Sequence, residues 1–201
     1  MVAISQIKDQ FSELGVKVMV DDYSVIQFLN DKAATYQFFS QCKELYIPPY
    51  AIVNTAEQFA LAYKELSAQF EKICIKFVKD EGGMSFRKVV DQVDKFSSLR
   101  MYPGNNIAYD ILMETLSGEE SFDDLMVMPY LPGQEISVDC LKTADGLIAV
   151  PRNKGAARHE RVEYDTDIMN MVQVIMDKVN LEYPCNIQFK LKDDIPYLLE
   201  I

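Results

Sequence analysis

Histidine occurs once, at position 159, and neither a Ser-His-Asp nor a Cys-His triad can be assembled around it. Hydrolysis of that type has little support, and His159 reads as a surface residue rather than a base. Both standard phosphate loops are missing: there is no GxxxxGK followed by Ser or Thr, and no GxGxxG. The four cysteines, Cys42, Cys74, Cys140 and Cys185, are scattered with no CxxC pair. Their apolar settings suit reduced, buried thiols in a cytoplasmic protein. No apolar run is long enough to span a bilayer, and residues 1–14 follow an amphipathic helix pattern rather than a secretory signal, so no membrane partner is expected. Positive charge is scarce: 20 basic residues face 31 acidic ones, giving −11 and a pI near 4.6. Such a chain is a poor general binder of nucleic acid, although it can still hold a local basic site for phosphates. Internal repeats and low-complexity linkers are also absent.

What is present is apolar residues, 49% of a 201-residue chain. That is ample for the core of one large domain or two small lobes. Residues 3–14 read as a helix stopped by Gly15, and Val16–Val20 as a short strand. A lone helix and strand cannot fold independently, so residues 1–46 are expected to be the remnant of a preceding domain with a connecting helix. Asp31 caps a helix to about Cys42, with Lys32 in its first turn. Pro48-Pro49 breaks the chain, and Thr55-Ala56-Glu57-Gln58 is a capping box opening a helix to about Gln69. Ile73–Val78 reads as a buried strand, Asp91–Ser98 and Ala108–Leu116 as helices, and Leu125–Leu131 as a strand. A hairpin around Asp145-Gly146 joins Ile136–Leu141 to Leu147–Val150. Asp165–Val179 is a helix with Ile168, Met171, Val172, Ile175 and Val179 on one face. Helices mixed with largely antiparallel strands indicate an α+β fold. The expected divisions are 1–46, 47–128 and 129–201.

The last strands form a hairpin whose outer face is informative. Side chains alternate along a strand, so Ile187, Phe189 and Leu191 share one side of the first arm. A turn at Asp193-Asp194-Ile195 would pair Leu191 with Tyr197, Phe189 with Leu199 and Ile187 with Ile201. It would also set Gln188 across from Glu200, with Cβ atoms roughly 5 Å apart. Two oxygen donors at that spacing can share a hard cation such as Mg²⁺, which keeps waters for its remaining positions.

Three further groupings can carry chemistry. Lys76 interrupts a buried strand, where an ammonium needs either a solvated face or an anion. The following Gly82-Gly83 is either an ordinary turn or a mobile loop whose N–H groups approach a phosphate. In Val127–Asp139, the main chain of Pro129, Tyr130 and Leu131 can meet an adenine: the Pro129 carbonyl accepts and the Leu131 N–H donates. Glu135 then either takes ribose hydroxyls or stands in solvent. Arg152 and Lys154, with Arg158 and Arg161, form a basic loop, either solvated or an anion site.

In this order (Asp31-Lys32, the Lys76 strand with Gly82-Gly83, the Leu131–Glu135 turn, the arginine loop, Gln188, Glu200) the chain resembles the ATP-grasp superfamily over nearly its whole length. Its spacing is most similar to the carbamoyl-phosphate synthetase type, where a cationic strand residue precedes a Gly-Gly pair at the Lys76–Gly82 interval. That type also takes its first metal ligand from an Asn-x-Gln-Phe context like Asn186-Ile187-Gln188-Phe189. The resemblance implies two α+β lobes with a nucleotide cleft between them, incomplete at both ends, with 47–128 as the lid lobe and 129–201 as a truncated C-terminal lobe. It implies that Lys32 and Lys76 bind ATP phosphates, that Gly82 and Gly83 sit in the lid loop, and that Pro129, Tyr130 and Leu131 line adenine. Glu135 would bind ribose, Gln188 and Glu200 would hold Mg²⁺, and Arg152 and Lys154 would stabilise the transferring phosphoryl group. The implied partners are ATP, a small carboxylate or bicarbonate, and a nucleophilic co-substrate. The implied activity is that of an ATP-dependent ligase. The alternative is a non-catalytic nucleotide-binding or interaction module that keeps the fold. Departures from the family pattern are Met128 at the adenine hinge, Met84-Ser85 after the glycine pair, and no Asn-Pro-Arg segment after Glu200. The sequence therefore resembles a piece of a larger enzyme, and little turnover is expected of the piece itself.

Overall fold

A computed structural model describes residues 1–80, 83–94, 96, 104–155 and 159–201. The chain forms two compact units: a terminal unit of Met1–Ile47 with Leu131–Ile201, and a central unit of Pro48–Tyr130. Each holds a five-stranded sheet. Helices packed on two largely antiparallel sheets make the fold α+β, as expected.

The central unit contains β1 (Ala51–Val53), α5 (Ala56–Ser67), β2 (Ile73–Phe77), β3 (Arg87–Val90), β4 (Asn106–Ala108), α6 (Tyr109–Ser117) and β5 (Leu125–Pro129). Its sheet order is β1-β5-β2-β3-β4, antiparallel except for β3 beside β4. Thr55 Oγ1 accepts from Gln58 N, and Gln58 Oε1 accepts from Asn54 N, so the capping box forms with its return bond one residue upstream. One sheet face, carrying Ile73, Ile75, Val89, Leu125 and Val127, packs on Phe59, Leu66, Leu112 and Leu116 of α5 and α6. Asp91–Asp94 are not helical as expected, whereas Phe96 is; Asp94 Oδ1 accepts from Phe96 N, the bond of a residue that caps a helix start rather than one inside a helix. The rest of that expected helix lies outside the described residues, apart from Phe96.

The terminal unit contains α1 (Val2–Gln6), α2 (Lys8–Glu13), α3 (Tyr23–Leu29), α4 (Lys32–Phe39), β6 (Glu135–Thr143), β7 (Gly146–Lys154), β8 (Glu160–Val162), α7 (Thr166–Lys178), β9 (Cys185–Lys192) and β10 (Ile195–Glu200). The sheet order is β10-β9-β6-β7-β8, antiparallel throughout. Ile136, Val138, Ile187, Phe189 and Leu198 face Phe39 of α4 and the apolar stripe of α7, including Ile168, Met171, Val172 and Ile175. Asp165 caps α7 by accepting from Asp167 N and Ile168 N. The single N-terminal helix expected breaks at Ile7 into α1 and α2. Gly15 ends α2 in the left-handed region (φ 73°). Residues 16–20 do not form the expected strand, because no described strand offers them a ladder. The segment is held instead at buried Asp21, whose Oδ1 accepts from Glu182 N at 2.7 Å.

Two details set the geometry of the last hairpin. Its turn uses two residues, Asp193 (φ 52°) and Asp194 (φ 61°), both left-handed, as a type I′ connection needs. Ile195 therefore pairs with Lys192, Tyr197 with Lys190 and Leu198 with Phe189, one residue out from the register expected for a longer turn. A bulge at Leu199 then restores the alignment, so Glu200 does stand opposite Gln188. Tyr36, fully buried on α4, donates its hydroxyl to the Leu199 carbonyl at 3.0 Å, which fixes the bulged peptide.

Gly133 closes β6 against β9. Its N–H donates to the Leu191 carbonyl (2.9 Å), and a Cβ there would lie 2.4 Å from the same oxygen. Only glycine permits that approach.

Candidate functional site

Alternation on the terminal sheet sends every second side chain away from the α7 face. That open face carries Glu135, Ser137 and Asp139 from β6, Arg152 and Lys154 from β7, Asn186, Gln188 and Lys190 from β9, and Glu200 from β10. The register arranges them in rows: Lys154–Glu135–Lys190, Arg152–Ser137–Gln188–Glu200, and Asp139–Asn186. Arg152 and Lys154 are thus strand residues, not the loop residues expected. The β6–β7 hairpin runs on to Lys154, past the end suggested by Pro151 and the polar residues after it.

In the first row, Glu135 is held at both oxygens. Lys154 Nζ is 2.5 Å from Oε1, and Lys190 Nζ is 3.7 Å from Oε2. In the second, Arg152 Nε lies 2.8 Å from Asp139 Oδ2, and Nη1 bonds Glu160. The bond from the Arg152 guanidinium, with a further one from Asn186, holds the Asp139 carboxyl below the usual carboxylate range. Asn186 Nδ2 donates to Asp139 Oδ1 at 2.7 Å. Asn186 Oδ1 accepts from Ser137 Oγ (3.0 Å) and from Gln188 Nε2 (3.2 Å). Among the described residues nothing donates to Gln188 Oε1, which stays open beside Glu200. Lys32, the first residue of α4 and 6% exposed, places Nζ 4.0 Å from Glu200 Oε2.

The arrangement can hold a divalent cation only in company. No three His, Cys, Asp or Glu side chains gather among the described residues, so an all-protein cage is not available. Gln188 and Glu200 offer two oxygen ligands side by side, and Mg²⁺ is commonly bound by one or two protein oxygens with phosphates and waters completing the shell. The donor set therefore fits a nucleotide-borne Mg²⁺, and Lys32 supplies a nearby cation for the phosphates.

The remaining predicted residues, Leu131 apart, belong to the central unit. Lys76 is half-buried on β2, opposite Met126 and on the face away from α5 and α6. Its ammonium acts on the neighbouring Cys74 thiol, which burial nevertheless pushes up to about 12. Gly83 is left-handed (φ 66°), as the loop reading requires, whereas Gly82 and Arg158 lie outside the described residues. The loop after β2 is clasped by Ser85, whose N and Oγ both donate to Asp80 Oδ2 and whose Oγ accepts from Phe77 N. The Pro129 carbonyl ends β5 and Tyr130 N donates to Lys72 O. Leu131, in the terminal unit, is buried, and its N–H donates to no described group.

The sequence alone does not mark Asn186, Asp139, Ser137, Glu160 and Lys190 as site residues. The signal for most of them was available: Glu135, Ser137, Asp139 and Asn186, Gln188, Lys190 are two runs of polar residues at alternate positions.

A family model described as "ATP-grasp in the biosynthetic pathway with Ter operon" matches residues 121–201. No curated protein matches the sequence. Among solved structures, the D-alanyl-alanine synthetase A of Vibrio cholerae aligns with TM-score 0.69 and 13% identity, over 98% of this chain and 62% of its own. The D-Ala:D-Ser ligase VanG of Enterococcus faecalis gives 0.66 and 16%, over 98% and 58%. The L-amino acid ligase of Bacillus licheniformis gives 0.61 and 12%, over 100% and 46%. The chain thus spans roughly half to three-fifths of the length of these ligases.

Proposed function

We propose that this chain is the ATP-binding part of an ATP-dependent ligase, in which a carboxylate is activated as an acyl phosphate and then attacked by an amine. The observation that carries this reading is the Gln188–Glu200 pair on adjacent strands with buried Lys32 4.0 Å from Glu200. It supports the reading because such a set neutralises a polyphosphate and shares its cation. A carboxylate oxygen attacks the γ-phosphorus, the bond to the bridging oxygen breaks, and ADP leaves with that electron pair. The amine then adds to the acyl carbon and expels inorganic phosphate. Gln188 and Glu200 would hold a nucleotide-borne Mg²⁺, which would supply charge neutralisation for this transfer. Lys32 and Lys76 each offset triphosphate charge, and the Gly83 turn brings backbone N–H groups toward a phosphate. The open N–H of Leu131 and the carbonyl of Pro129 receive the adenine edge around Tyr130. Glu135 meets the ribose once its lysines share it, and Arg152 and Lys154 face the moving phosphoryl group.

Within this class the carbamoyl-phosphate synthetase-like reading, with bicarbonate as the activated acid, is supported by the Asn-x-Gln-Phe context and the Lys76–Gly82 interval. A second reading, a nucleotide-binding or interaction module without catalysis, is favoured by one observation. The cations assigned to phosphoryl transfer are already bonded to carboxylates: Arg152 to Asp139 and Glu160, Lys154 to Glu135.

Thermal unfolding in increasing Mg²⁺·ATP tests the nucleotide site. Ligand at 100 Kd should add about 2.7 kcal/mol, and no shift at millimolar ATP overturns it. Glu200→Gln separates the two readings: a ligase loses phosphoryl transfer, whereas a module keeps its partner binding.

A further inference from the structure

Gln188 can serve a cation only through its oxygen. The two ends of a glutamine amide have the same shape and opposite chemistry: Oε1 accepts, and Nε2 presents two hydrogens that repel a metal. An untethered amide samples both orientations. Around Gln188 the donor–acceptor pattern leaves one. Asp139 is a carboxylate held at both oxygens by Arg152, so it can only accept. Asn186 must therefore turn its NH₂ to Asp139, at 2.7 Å. That puts Asn186 Oδ1 on the other side, where Ser137, 1% exposed, also donates to it. An acceptor in that place draws Nε2 of Gln188, at 3.2 Å, and Oε1 is the end left over.

We propose that Asp139 and Asn186 are positioning residues that lock the Gln188 amide with its oxygen available, so divalent-cation affinity depends on two side chains that touch no cation. This rests on the reading that Gln188 and Glu200 hold the cation. Outer partners of metal ligands commonly govern affinity by about 10- to 100-fold through such orientation. Arg152 gains a role distinct from phosphate contact, since it keeps Asp139 ionised and facing Asn186.

The test is Mn²⁺ binding in the presence of ATP, followed by electron paramagnetic resonance on the 201-residue chain. Glu200→Gln should weaken Mn²⁺ binding; if it does not, the cation site itself is misplaced and the proposal falls with it. With that control met, Asn186→Leu should weaken binding about tenfold or more while leaving the metal-free melting temperature within a degree or two. Asn186→Ala should do the same by a smaller change. Gln188→Glu supplies the discriminating background, because a carboxylate offers oxygen whichever way it turns. There Asn186→Leu should cost no affinity. A loss of equal size in both backgrounds, or unchanged binding in Asn186→Leu, overturns the positioning role.

Discussion

The two sheets are built alike and used differently. Each has five strands, with helices against one face. On the central sheet the face away from α5 and α6 carries Cys74, Met126 and Met128, all buried, with Lys76 and Lys88 as its cations. Lys88 Nζ lies 5.1 Å from the Tyr130 ring centroid. The corresponding face of the terminal sheet is a bonded lattice of carboxylates, amides and cations across four strands. An apolar helix-side face specifies the architecture in both units, so chemistry is free to concentrate on the other. Only the terminal sheet does this densely, and its polar groups are tied to one another before any ligand arrives.

The comparison breaks most readily at the helix-side faces, where both sheets should respond alike. Phe189→Ala in the terminal core and Phe59→Ala in the central core each remove a fully buried ring, and each should cost about 4 kcal/mol. Hydrogen exchange should show the deprotection confined to the unit that carries the change; deprotection spread evenly over both units would contradict two separate cores. Next in size is Gly133→Ala, where the new Cβ meets Leu191 O at 2.4 Å. A loss on the order of 2–3 kcal/mol by urea unfolding is expected, and a neutral result would mean that β6 and β9 can separate there freely.

The lattice itself should matter less to stability. Asp139 has a depressed carboxyl pKa, so its contribution is present above the unfolded value of about 3.9 and is lost as pH falls through the folded value. Because the Asp139 side chain is 52% exposed, solvent screening holds the difference between wild type and Asp139→Asn below about 1 kcal/mol. That gap should appear at neutral pH and close in acid; a gap that widens in acid would contradict the ion pair. The smallest effect separates the cysteines by reactivity alone. Cys140 and Cys185 are cross-strand partners. Interaction between the two neighbouring thiols pushes Cys140 up and Cys185 down, burial raises Cys74, and Cys185 is the one of the three that is not buried. In the folded protein Cys185 should be alkylated before Cys140 and Cys74. Rapid labelling of Cys74 would place it at a more open surface.

Much of this was legible in the residues because it follows from alternation and capping. Thr55, Asp31 and Asp165 marked helix starts, and Ile187, Phe189 and the α7 stripe marked the core. The Gln188–Glu200 pair was also legible, but through two departures that offset each other. The turn is one residue shorter than expected, and Leu199 bulges by one residue. Neither could be read locally, since the bulge is fixed by Tyr36, which is 163 positions away in sequence. The extent of β7 was hidden for a related reason: Pro151-Arg152-Asn153-Lys154 has no apolar alternation, and its strand character comes from pairing with β6 and β8. The Asp139–Asn186 link was the least visible, because two polar residues 47 positions apart become neighbours only once β6 and β9 are in register.

The proposed cation site at Gln188 and Glu200 is tested most directly by paramagnetic broadening. Substoichiometric Mn²⁺ should be added to the ¹⁵N-labelled chain with ATP present, and the side-chain amide signals followed. Gln188 should vanish first, ahead of Gln58 and Gln173, which lie elsewhere in the fold. A Gln188 signal that persists while Mn²⁺·ATP saturates the protein would contradict the site.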